Sequence, residues 1–135
     1  MADDDPDDRM MMKEALEEIN FSHAFHFVED GEELLDYLHG RGKFMRENVL
    51  MPSLILLDLN MPKVDGREAL GRIKSHANFK RIPVKVITAS HAEEDIARTY
   101  DLGVNSFISK PVHYNDLVLV AREIGNYWFN TVSLP

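Results

Sequence analysis

Two apolar runs of this 135-residue chain, and a third candidate strand, stop at residues able to do chemistry. Leu54-Ile55-Leu56-Leu57 stops at Asp58, Val84-Lys85-Val86-Ile87 at Thr88, and Ser106-Phe107-Ile108-Ser109 at Lys110-Pro111. If the runs are neighbouring parallel strands, a carboxylate, a hydroxyl and an ammonium share one sheet edge. Ligands of open parallel sheets bind there, outside the carboxyl ends of the strands. Two further carboxylates, Asp3 and Asp4, precede the first helical pattern. Three clustered carboxylates repel one another unless a hard divalent cation or a lysine neutralises them. Magnesium suits such a site because it takes oxygen ligands and keeps several waters. An aspartate on magnesium, flanked by an ammonium and a hydroxyl, is a phosphoryl acceptor: its carboxylate is the nucleophile and its neighbours neutralise the phosphoryl oxygens.

The elements around these residues alternate. The first two runs are short, apolar and carry β-branched residues, as buried strands do; Ser106 to Ser109, after Gly103 and Asn105, is a third candidate, and Ala24 to Val28 a looser fourth closing on Glu29-Asp30-Gly31. Between them lie helical patterns. Met12, Ala15, Leu16 and Ile19 make one face of a first helix, started by Asp5 as N-cap, Pro6 at the first helical position and Asp7-Asp8 in the first turn. Leu34, Leu35 and Leu38 mark a second helix, and Ala69, Leu70 and Ile73 a third. Ile96, Ala97, Tyr100 and Leu102 mark a fourth, stopped by Gly103. Leu117, Val120, Ala121, Ile124, Tyr127 and Trp128 mark a long last one, capped near His113 or Asn115. Alternation of this kind implies a parallel sheet with helices on both faces. The basic, Met-rich stretch 40–51 (Arg41, Lys43, Arg46) is the one long connection without a pattern.

Composition narrows the function. Fifteen basic against 23 acidic side chains leave a net charge of −8, unsuited to a broad nucleic-acid or anionic-lipid surface. There is no cysteine, hence no disulfide scaffold or thiolate metal site. No apolar run approaches the roughly 20 residues of a membrane span, and no signal peptide precedes the acidic start. A cytoplasmic protein of one domain, residues 1–135, with no nucleic-acid or membrane partner is expected.

The motifs Asp3-Asp4, Leu57-Asp58-Leu59-Asn60-Met61-Pro62 with Asp65-Gly66, Thr88-Ala89, and Phe107-Ile108-Ser109-Lys110-Pro111 resemble the receiver domain of bacterial two-component response regulators. The resemblance spans essentially the whole chain. The stretch Asp3 to Arg9, the long 40–51 connection and the ending Asn126 to Pro135 resemble the stand-alone receivers of cyanobacterial phytochrome response regulators. It implies a doubly wound flavodoxin-like α/β fold, a parallel five-stranded sheet of order 2-1-3-4-5 with helices on both faces. It implies that Asp58 takes a phosphoryl group from the phosphohistidine of a sensor histidine kinase. Asp4 and Asp58 would hold Mg²⁺ through their carboxylates and Asn60 through its backbone carbonyl, with Asp3 acting through metal-bound water. Thr88, Ala89 and Lys110 would surround the phosphoryl group. Phe107 stands where many relatives have Tyr, so its ring can switch but has no hydroxyl to offer. A cis peptide before Pro111 is usual in the family. The family also suggests a homodimer through the fourth helix, fifth strand and last helix.

One departure stands out: Met1-Ala2 alone precede Asp3, where a strand needs about five residues. Without it, buried amides beside it lose partners at roughly 1–3 kcal/mol each. A missing upstream segment is the preferred explanation, ahead of another chain or the tail Val132-Ser133-Leu134 filling the gap. Plainer roles are assigned elsewhere. Asp5, Asp7 and Asp8 read as an acidic helix start, Met10-Met11-Met12 as core filling, and the six histidines as structural or exposed. Tyr127-Trp128-Phe129 fits a core edge or a dimer contact equally. Three functions remain: a phosphorylation switch without effector domain, which catalyses only its own phosphorylation and dephosphorylation; a phosphate carrier in a relay; and an aspartyl-phosphate hydrolase, disfavoured because nothing encloses a substrate.

Overall fold

The computed structural model describes residues 1–45 and 49–135; Arg46, part of the expected 40–51 connection, lies outside them. The chain runs α1 (Pro6–Glu18), α2 (Gly31–His39), a 3-10 turn (Gly42–Phe44), β1 (Ile55–Leu57), α3 (Gly66–Ser75), β2 (Val84–Thr88), α4 (Glu93–Asp101), β3 (Ser106–Ser109) and α5 (Tyr114–Gly125). A π-helical stretch, Asn126–Thr131, extends the last helix.

The helices begin where their capping residues dictate. Asp5, Asp30 and Asp65 are extended N-caps whose carboxylates accept from Asp7, Glu33 and Arg67 backbone N–H groups, satisfying donors that have no intrahelical partner. α2 ends at Gly40, whose left-handed φ of 63° suits a residue without Cβ.

The strands form one parallel sheet in the order β1-β2-β3, with Ile55 opposite Val84 and Val86 opposite Phe107. Successive side chains point to opposite faces, and both faces are covered. Ile55, Leu57, Val84 and Val86 join Leu34, Leu35, Leu38, Ala69, Leu70 and Ile73 under α2 and α3. Leu56 and Ile87 join Met12, Ala15, Leu16, Leu117, Ala121 and Ile124 under α1 and α5. Of the methionine run, Met12 is fully buried and Met10 is exposed.

Among the described residues the sheet has three strands, and the expected five-strand order is not completed. Ala24 to Val28 is not a strand; Val28 alone pairs, through a single bridge to Ala2, and Ala2 bridges to Leu57 on its other side. A ladder needs backbone alongside, and here it is Met1 to Asp3. Val28 N–H donates to Met1 O at 2.9 Å, Asp3 N–H to Val28 O at 3.1 Å, Ala2 N–H to Leu56 O at 2.9 Å and Asp58 N–H to Ala2 O at 3.0 Å. Beyond this pairing Phe25 and Leu54 flank an apolar cleft of about 290 Å³, also lined by Met12, Leu16 and Ile124.

The aromatic ending divides. Trp128 is half-buried on the α1–α5 core with Lys85 Nζ 5.1 Å from its ring centre. Phe129 stacks on His23 at 4.6 Å, and Tyr127 is exposed. Trp128 thus belongs to the core edge. No described helix is long and apolar enough to cross a membrane.

Candidate functional site

The ends of β1, β2 and β3 meet on one side of the sheet because parallel strands in register end together. Asp58 follows β1, Thr88 closes β2 and Lys110 follows β3. Lys110 N–H donates to Thr88 O at 2.8 Å, so the backbone ladder itself holds these two in place. Thr88 Oγ1 donates to Asp58 Oδ1 at 2.8 Å, and Lys110 Nζ donates to Asp58 Oδ2 at 3.2 Å. Asp58 and Thr88 are buried, and both Asp58 oxygens have a protein donor.

The paired backbone of Met1 to Asp3 brings the other carboxylates in. Asp3 is fully buried; its Oδ1 accepts from Asp5 N–H at 3.0 Å, and its Oδ2 lies 2.9 Å from Lys110 Nζ, an ion pair outside hydrogen-bond geometry. Burial pushes the Asp3 carboxyl up, against the pull of Lys110. Burial also works to lower the Lys110 ammonium, but the close carboxylates of Asp8 and Asp3 and the charge of Asp58 outweigh it, and the net shift is upward. Asp4 is exposed. One oxygen from each of Asp3, Asp4 and Asp58 lies within 4.8 Å of the others. An all-oxygen set with one open member and a buried oxygen lacking a hydrogen bond fits a hard divalent cation.

Asn60 and Ala89 are exposed residues just beyond β1 and β2. Phe107 is half-buried against the α2–α3 core, and its N–H donates to Tyr100 Oη at 3.3 Å. The expected cis peptide before Pro111 is corrected: no described peptide bond is cis. The trans form is the ordinary preference even before proline, by about 0.5–1 kcal/mol.

Two groups escaped the sequence reading. Asp8, read as part of an acidic helix start, places Oδ2 2.7 Å from Lys110 Nζ across 102 residues. Arg67 of α3 forks onto Asp95 of α4 at 2.6 and 2.7 Å, and Ser90 Oγ, two residues past Thr88, donates to Asp95 at 2.7 Å. The one sequence signal for either was a charged residue near a helix start, which is common on any surface.

Residues 1–122 match the response regulator receiver domain. The chain belongs to that family. It is 38% identical to response regulator Rcp1 of Synechocystis sp. over 135 residues, all of this chain and 90% of that one. The Mn(2+)-bound crystal structure of Rcp1 superposes with a TM-score of 0.90 at 39% identity, covering 99% of this chain and 95% of that one. The phosphorylated cyanobacterial phytochrome response regulator RcpA gives 0.91 at 41% identity, covering 99% and 94%. The fold is therefore the flavodoxin-like α/β receiver fold, with its parallel sheet and flanking helices. As a receiver, the chain is a signalling domain of two-component systems.

Proposed function

We propose that this receiver accepts a phosphoryl group on Asp58 from a sensor histidine kinase, in a phytochrome-type pathway. The observation that carries the reading is the convergence of Thr88 and Lys110 on the two oxygens of one buried carboxylate beside Asp3 and Asp4. The phosphorylated RcpA and Mn(2+)-bound Rcp1 structures support it as similar proteins.

One Asp58 oxygen attacks phosphorus in line with the phosphohistidine nitrogen; the P–O bond forms as the P–N bond breaks, and the electron pair leaves with the imidazole. Thr88 and Lys110 exchange their contacts with the carboxylate for contacts with phosphoryl oxygens, stabilising charge through preorganised donors. Ala89, exposed just beyond β2, would lie beside the phosphoryl group. Asp4, Asp58 and the Asn60 carbonyl would hold Mg²⁺, with Asp3 behind them. The cation supplies neutralisation of the phosphoryl charge. Asp58→Asn, whose amide is not a competent nucleophile, abolishes labelling by acetyl phosphate in Mg²⁺; undiminished labelling moves the acceptor elsewhere.

The output of such a switch is a change in protein–protein contacts in the cytoplasm. We assign a homodimer face to α4, β3 and α5, where Tyr100, Val112 and Leu119 are exposed. Sedimentation with and without beryllofluoride tests it: a dimer strengthened by the phosphoryl mimic is expected, and a monomer under both conditions at high micromolar concentration rejects it.

A further inference from the structure

Lys110 has three carboxylates around its ammonium, and the nearest is not one of the cluster at the acceptor. Nζ lies 2.7 Å from Asp8 Oδ2, 2.9 Å from Asp3 Oδ2 and 3.2 Å from Asp58 Oδ2. Asp3 and Asp58 belong to the oxygen set that fits a divalent cation; Asp8 does not. A cation seated among Asp3, Asp4 and Asp58 draws on the oxygens that hold Lys110 and repels its charge. Asp8 is then the carboxylate left to it.

We propose that Asp8 is a positioning residue, which holds the Lys110 ammonium beside Asp58 while a divalent cation occupies the acidic cluster. The inference rests on the reading of Asp58 as a metal-assisted phosphoacceptor. Asp8 is not needed to start α1, because Asp5 already caps it. Its side chain is partly exposed at 25%, so the ammonium can stay with it as the deeper oxygens change partners. Lys110, at 17%, is too enclosed to rely on solvent instead.

Mn²⁺ binding to the full chain, followed by titration calorimetry, tests this in a double-mutant cycle of Asp8→Asn and Lys110→Met. Without Asp8 the ammonium leans on Asp3 and Asp58 and competes with the metal. Asp8→Asn is therefore expected to weaken Mn²⁺ binding at least fivefold in the wild-type background, and at least threefold less than that in Lys110→Met. Asp8→Ala, as a second variant, gives the same pattern. Equal weakening in both backgrounds, or none in either, makes Asp8 a general source of charge and overturns its role. Failure of the wild-type chain to bind Mn²⁺ overturns the metal site, and the role of Asp8 with it.

Discussion

Thr88 Oγ1 donates a 2.8 Å hydrogen bond to Asp58 Oδ1, although the two are 30 residues apart in the chain. Both are buried, so the hydroxyl has no water to replace its partner. Thr88→Val keeps the volume and removes the donor. Stability is expected to fall by about 1 kcal/mol in urea unfolding, the worth of a buried hydrogen bond. Phosphorylation of Asp58 by acetyl phosphate should be slower but not lost, since the nucleophile is untouched.

Asp3, Asp4 and Asp58 crowd three carboxylates, and Lys110 offsets part of the repulsion. A cation that binds the folded chain alone stabilises it by mass action, about 1.4 kcal/mol at ten times its dissociation constant. Melting temperature should rise with millimolar Mg²⁺ more than with monovalent salt of matched ionic strength. In Asp4→Ala the difference should disappear. Equal melting in the two salts would count against the metal site.

The hydrogen bond from Arg67, then that from Ser90, lowers the Asp95 carboxyl from 3.8 to about 2. A group whose pKa is depressed by folding stabilises above its unfolded value and loses that contribution as pH falls through the folded one. The stability gap between the wild type and Asp95→Asn should be constant from pH 7 to about 5, then narrow between about 4 and 2. Urea unfolding across that range reads it. A gap that does not change with pH would mean that the fork onto Asp95 is not maintained in solution.

Two glycines of α3 should respond in opposite directions. A Cβ on Gly66 would collide with the Asp58 carbonyl oxygen and the Leu59 backbone, whereas one on Gly71 would meet only Leu102 Cδ2 at 4.0 Å. Gly66 N–H also donates to Leu59 O at 2.8 Å, tying the start of α3 to the strand end that carries Asp58. Gly66→Ala is expected to cost at least about 2 kcal/mol, as overpacking against backbone does. Gly71→Ala should add about 0.5–1 kcal/mol, the helix-interior preference for Ala over Gly. Thermal and urea unfolding of the two variants check both signs.

The amino-acid sequence alone determined the alternation of elements and three of the groups at the candidate site. Periodicity is local, and parallel strands end side by side, so Asp58, Thr88 and Lys110 at the ends of apolar runs had to come together once the runs paired. The caps Asp5 and Pro6 were legible for the same local reason. What depends on how elements lie against one another was not. Asp8 reaches Lys110 because α1 packs on α5 and across the strand ends, a placement that no spacing near Asp8 encodes. The Arg67–Asp95 fork depends on the approach of α3 to α4. Trp128 could face the core or a partner by its pattern, and only the turn of the last segment over Lys85 decided it. The three strands of the sheet have the same reason: Ala24 to Val28 has the composition of a strand, but strands exist only in pairs, and among the described residues Ala2 alone bridges to it. The peptide before Pro111 rests on a difference of about 1 kcal/mol, which tertiary context settles and local sequence does not.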